Sequence, residues 1–146
     1  MALSANNLTV FVPSGFTASF PVGVDVIYAG ALLMINLDGY AVPAANDGIL
    51  TASDGYWLGV AMEYVDNSAG SAGDLEVLVD IGGGIITTTH DTGSLTIANV
   101  GDLVAVSSDN TVDAVGTTTD ITCGSIQEVD SATSIKVKLL PFGVVS

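Results

Sequence analysis

Three aspartates, Asp102, Asp109 and Asp113, sit among serines and threonines in the stretch GDLVAVSSDNTVDAV, Gly101 to Val115. Carboxylates in such company can ligate a hard cation or move protons. The pattern around them also reads as a hairpin. A turn at Ser108 to Asn110 pairs Val106 with Val112 and Val104 with Ala114 on one face. Asp113 then points to the other face with Ala105 and Ser107, so the carboxylates diverge: one makes a turn and the others meet solvent. A second acidic stretch, DNSAGSAGDLE from Asp66 to Glu76, has the outline of a calcium loop, but its ligand positions hold Ser68 and Gly70. Val77 stands where a bidentate Glu would be required. A hairpin loop is the expectation there.

HDTGS, His90 to Ser94, contains the Asp-Thr-Gly-Ser string of aspartic proteases. Those enzymes need two such aspartates sharing a proton, each following a buried apolar strand. Here TTTH precedes Asp91, which favours a turn with Gly93 at positive φ. His90 has no second His or Cys at ligand spacing for zinc, and no serine occupies a nucleophile elbow. Gly82 to Gly84 lacks the Lys-Ser/Thr and the helix of a phosphate loop, and reads as a flexible turn. Cys123, the single cysteine, is expected to be a small buried hydrophobe. The expectation is a protein that is not an enzyme, with no catalytic residues, cofactor or metal.

Elements to position any site are β-strands. The chain has 146 residues, 49% of them hydrophobic, enough for one domain with an ordinary core. Short runs of Val, Ile, Leu and Thr recur between Gly, Asp, Asn and Ser clusters, and no segment keeps a helical apolar period. Candidate strands are Leu8–Val12, Ala31–Leu37, Tyr40–Pro43, Trp57–Val65, Leu75–Ile81, Leu103–Ser107, Thr111–Val115, Ile121–Val129 and Ser134–Leu140, in a sandwich or barrel. The longest apolar run, Val26 to Leu37, is interrupted and short of the roughly 20 residues of a spanning helix. A soluble protein without a membrane role is expected. The lone cysteine suits a reducing compartment.

The net charge is −14, from 16 acidic residues against Lys136 and Lys138. Nucleic acid affinity comes mainly from cations releasing counterions, so nucleic acid is not an expected partner. Residues 1–24 carry no charge, and Phe11, Phe16 and Phe20 lie there among Pro, Gly and Ser. This stretch reads as an extended N-terminal arm or as an edge strand wrapped on its own domain. Residues 25–146 form the single β domain. Tyr56 and Trp57 are either a core plug or an exposed anchor for a partner.

The domain contains an internal duplication, with halves about 28–82 and 99–142 and a connector, Gly82 to Asn99, between them. Gly30 and Gly101 each begin a hairpin, turning at Asp38-Gly39 and Asp109-Asn110. Leu58-Gly59-Val60 and Cys123-Gly124-Ser125 each open a long strand. LEVLVDI and SIKVKLL close the halves.

The order YAGALLMINLDGYAV, WLGVAMEYVDNSAGSAGDLEVLVDIGG, VGDLVAVSSDNTVDAV, CGSIQEVDSATSIKVKLL resembles the capsid cement, or head decoration, proteins of tailed bacteriophages over residues 25 to 140. The resemblance implies a compact all-β fold, a β-barrel or β-sandwich of β-tulip-like form. It implies a homotrimer on the outer surface of the virion capsid, made in the host cytoplasm. There it would stabilise the shell by binding the major capsid protein, with the arm around Phe11, Phe16 and Phe20 as the contact. With so few lysines, docking would use apolar and backbone contacts or a basic patch of the partner. The alternative is a β-rich receptor- or glycan-binding module of a tail fibre or adhesin.

Overall fold

The computed structural model describes residues 3–8, 10–44, 55–91, 93–116 and 120–143. Its strands are β1 (Phe11–Val12), β2 (Thr17–Pro21), β3 (Val26–Ile27), β4 (Leu32–Ile35), β5 (Ala41–Pro43), β6 (Tyr56–Ala61), β7 (Val65–Asp66), β8 (Glu76–Asp80), β9 (Ile85–His90), β10 (Leu103–Ser108), β11 (Thr111–Ala114), β12 (Thr122–Val129) and β13 (Ser134–Leu139). One 3-10 turn, Ile97–Asn99, is capped by Thr96, whose hydroxyl accepts the Ala98 N–H. The fold is all-β.

Two sheets share one plan. The first runs β2-β8-β6-β4-β5 and the second β9-β13-β12-β10-β11. Neighbours within each are antiparallel. Each returns to its first strand by a parallel contact. In the first this is the bridge between Val22 and Ala41; in the second it is β9 against β11, with His90 opposite Val112. The second set of strands thereby closes into a barrel.

The register repeats residue for residue. Leu33 faces Pro43 on one side and Gly59 on the other; Val104 faces Ala114 and Gly124 in the same way. The ladder slips just beyond each, so that Leu58 and Cys123 are the extra residues of matching bulges. The glycines are there for space, since a Cβ on Gly59 or Gly124 would collide with the carbonyl oxygen of Asp80 or Lys138.

The matching strand plan reaches further upstream than the sequence pattern of the two halves. Its first strands, β2 and β9, fall in the stretches expected to be an arm and a connector. Residues 11–21 are paired within the fold: β1 lies antiparallel on β9, Phe11 opposite Ile86, and β2 lies along β8, Phe20 opposite Val77. Both first strands hide from a hydrophobicity reading because β2 is only half-buried and β9 is mostly threonine on one face.

Burial explains why β4, LLMI, reads as an unbroken apolar run. Leu33 enters the first interior with Val22, Ala41, Leu58, Val77 and Val79. Leu32 and Met34 face the opposite way, joining Trp57 and Val60 in the cluster that contains Val104, Val112, Cys123 and Val137 of the second barrel. A strand covered on both faces has no polar side to alternate with. Each such fully buried Leu or Val contributes about 1.5–3 kcal/mol from desolvation. The two halves form one body through this shared cluster.

Hairpin pairing of Val104 with Ala114 and Val106 with Val112 is as the sequence pattern gives it. The turn differs. Ser108 also pairs with Thr111 after a bulge, leaving Asp109-Asn110 as the turn, and Asp109 is buried at 4% exposure. Its backbone carbonyl accepts the Leu32 N–H at 2.8 Å and its carboxylate the Leu3 N–H at 2.9 Å. The tip is covered because it docks on β4 and the N-terminal segment.

Candidate partner-binding surface

The aromatics singled out from sequence divide by burial. Phe11 is in the core at 7% exposure, its ring beside Gly84, where a Cβ would strike it. It is not a free contact residue. Phe20 is half-buried and meets Phe142 edge to face, ring centroids 5.7 Å apart. Phe16 is 71% exposed. It immediately precedes β2, its carbonyl taking the Ile81 N–H while the Ile81 carbonyl takes that of Phe142. Phe16 and Phe142 are thus both tied through their backbones to Ile81, and both are exposed apolar side chains on an acidic molecule. Phe142 was missed from sequence, since nothing in the C-terminal pattern links it to β2.

Gly82 to Gly84, expected to be a flexible turn, is closely packed by its neighbours. A Cβ on Gly82 would press on Ser14 and Phe16, and one on Gly83 on the backbone of Leu139 and Leu140. The Asp80 carboxylate, 2% exposed, holds the preceding loop by accepting the N–H groups of Ser14 and Gly15 and the Ser14 hydroxyl. A loop tied to Asp80 by three hydrogen bonds precedes Phe16.

Tyr56 and Trp57 also part company. Trp57 is buried at 7%, its indole N–H donating to the Leu140 carbonyl at 2.7 Å, so it plugs the core and ties β6 to the chain beyond β13. Tyr56, 61% exposed, faces solvent.

The acidic stretches are internally satisfied. Asn67, buried in the Asp66–Glu76 loop, donates to the carbonyls of Val22, Gly23 and Ser71, and Asp74 accepts the Ser71 N–H. Hydrogen bonds from Ser68 hold the Asp66 carboxyl below its ordinary range. Asp91 accepts the Ser107 hydroxyl, which contacts Thr111 in turn, and Gly93 has the positive φ of 72° expected of the turn. Thr92, the second residue of the Asp-Thr-Gly-Ser string, lies outside the described residues. Among the described residues no three His, Cys, Asp or Glu side chains are grouped to hold a metal ion. Cys123 is fully buried, and desolvation pushes its thiol up to about 12.

Both cations are engaged within the chain. Lys136 pairs with Glu128 at 2.7 Å and Asp130 at 3.0 Å in the open, where such pairs are worth little. Lys138 donates to the carbonyls of Gly83 and Leu139.

His90 stands apart. It is 4% exposed, and its Nδ1 has no hydrogen-bond partner, the Asp113 carboxylate lying 3.6 Å away. It lines a groove of about 540 Å³ with Asn99, Asp102, Leu103, Val115 and Ile126.

The fold and these surfaces define a tandem all-β protein built from two equivalent five-strand units. No family model matches the chain and no curated protein matches it. Among solved structures it is similar to the head fiber gp8.5 N base of bacteriophage phi29, with a TM-score of 0.47 and 16% identity, over 85% of this chain and 94% of that one.

Proposed function

We propose that this chain is a structural protein of a bacteriophage head, a capsid decoration (cement) protein that binds the outer surface and braces the major capsid protein. The order of sequence motifs over residues 25 to 140 motivates the reading. The observation that carries it is the exposure of Phe16 and Phe142, both hydrogen-bonded through their backbones to Ile81, beside a loop tied down by Asp80 on a molecule of net charge −14. Large exposed aromatics with restricted backbones make efficient contacts, because little freedom is lost on binding. Trimeric assembly on the capsid multiplies weak contacts by avidity.

The test mixes purified protein with heads lacking decoration and follows co-sedimentation at micromolar concentration. Binding that falls at least about tenfold, roughly 1.4 kcal/mol, in Phe16→Ser supports the reading. Failure of the unaltered protein to sediment with heads ends it. Binding to host cells or glycans without binding to heads would favour the receptor-module alternative instead.

A further inference from the structure

The two units of one molecule touch in a way that leaves each with an unused half of the same contact. Asp109, at the tip of the β10–β11 turn, docks where β4 begins, its carbonyl on the Leu32 N–H. The shared register makes Leu103 the equivalent of Leu32, Val115 that of Ala44 and Asp38 that of Asp109. In the first unit the docking place is filled, with Leu32 and Ala44 buried at 0% and 3%. In the second unit the same place is the groove that holds His90, Asn99, Leu103 and Val115. Leu103 there is 48% exposed, and Ile97 and Val100 beside it are 86% and 46% exposed. The first unit's own turn, Asn36 to Tyr40, projects into solvent with Leu37 at 64% exposure and Asp38 exposed.

We infer that the groove beside Leu103 receives the Leu37-Asp38-Gly39 turn of a second copy of this chain. The contact between molecules then repeats the contact between units within one. It is head-to-tail, so it closes into a ring where the rotation allows and otherwise propagates. The seated turn covers Leu103 and Leu37 together, and brings polar groups into a groove where the buried His90 Nδ1 has no partner. This inference does not rest on the capsid role. Asp38 approaches Asp102, and the molecules repel each other through their net charge, so association strengthens as added salt screens both.

The test is sedimentation velocity on the full chain at low salt and at about 0.5 M salt, where the screening length falls to a few ångströms. Leu37→Asp alters only the turn and Leu103→Asp only the groove. Both sites are exposed, and an unchanged thermal melt confirms folding; Leu37→Ser and Leu103→Ser replace any variant that fails it. The expected result is association of the unaltered chain, monomers for each variant alone, and one-to-one dimers when the variants are mixed, since one turn and one groove remain intact. The inference is overturned by an unaltered chain that stays monomeric up to about 1 mM at both salt levels. It is equally overturned if either variant keeps the unaltered assembly size, or if the mixture stays monomeric.

Discussion

His90 occupies in the second barrel the position that Val22 occupies in the first unit. Each follows its unit's opening strand pairings and makes the parallel contact that turns the sheet back on itself, Val22 to Ala41 and His90 to Val112. Three other interior pairs, Leu33 and Val104, Leu58 and Cys123, Val79 and Val137, are apolar or thiol in both units.

Replacing His90 by Val removes a buried polar atom without a partner and restores the side chain that the first unit uses. Leaving such a group unsatisfied costs about 1–3 kcal/mol. His90→Val is expected to stabilise the isolated chain by an amount in that range, measured by urea denaturation at neutral pH. A loss of stability would show that the imidazole is held by interactions other than those at Nδ1.

Asp109 supplies a pH dependence. Burial pushes its carboxyl above the usual range, with the hydrogen bond from Leu3 pulling the other way, and burial raises Asp25 as well. A raised folded-state pKa means the folded chain binds protons that the unfolded chain has released. Its stabilising effect is complete below the ordinary value of 3.8 and is lost as pH rises through the folded value. Asp66 acts in the opposite sense, but is exposed and screened. Asp109→Asn keeps an oxygen for the Leu3 N–H and removes the buried charge. Thermal melts between pH 4 and pH 8 are expected to show a higher melting temperature at neutral pH and a flatter profile than the unaltered chain.

The matched glycines make a paired prediction. An added methyl at Gly59 or Gly124 meets a neighbouring backbone carbonyl, which cannot rotate away. Gly59→Ala and Gly124→Ala are each expected to cost at least about 1–3 kcal/mol, the usual penalty of overpacking. Gly39→Ala is the control for a general glycine effect, because nothing lies within 4 Å of its Cβ position and only its positive φ resists. Denaturation midpoints for the three would separate packing from backbone strain.

The strands carrying the shared core were legible in the sequence because their side chains alternate or are covered on both faces. The equivalence of Leu58-Gly59-Val60 with Cys123-Gly124-Ser125 could be read directly, since the close approach of a neighbouring carbonyl demands glycine in both. The opening strands were not legible. Phe16 to Pro21 and Ile85 to His90 carry Pro, Ser and Thr, and their pairing is set by partners distant in sequence. The candidate contacts suffered for the same reason. Exposure separates Phe16 from Phe11 and Tyr56 from Trp57, and exposure depends on which face of a neighbouring strand each side chain meets. Asp109 reads in the sequence only as a turn residue because its cover, β4 and the segment around Leu3, is tertiary.

The strand Phe11–Val12 precedes the whole first unit in the chain yet hydrogen-bonds to β9 of the second. During synthesis it emerges before β2 and must wait, unpaired, until Ile85 and Ile86 have followed it out. The N-terminal unit thus cannot complete its surroundings while it is alone, and its outward apolar face at Leu32, Met34 and Trp57 stays bare for the same interval. Contacts so distant along the chain form late. The two units should therefore mature together, as a single cooperative event gated by the second half, and a nascent chain stalled after Asp80 would expose the surface most prone to aggregation.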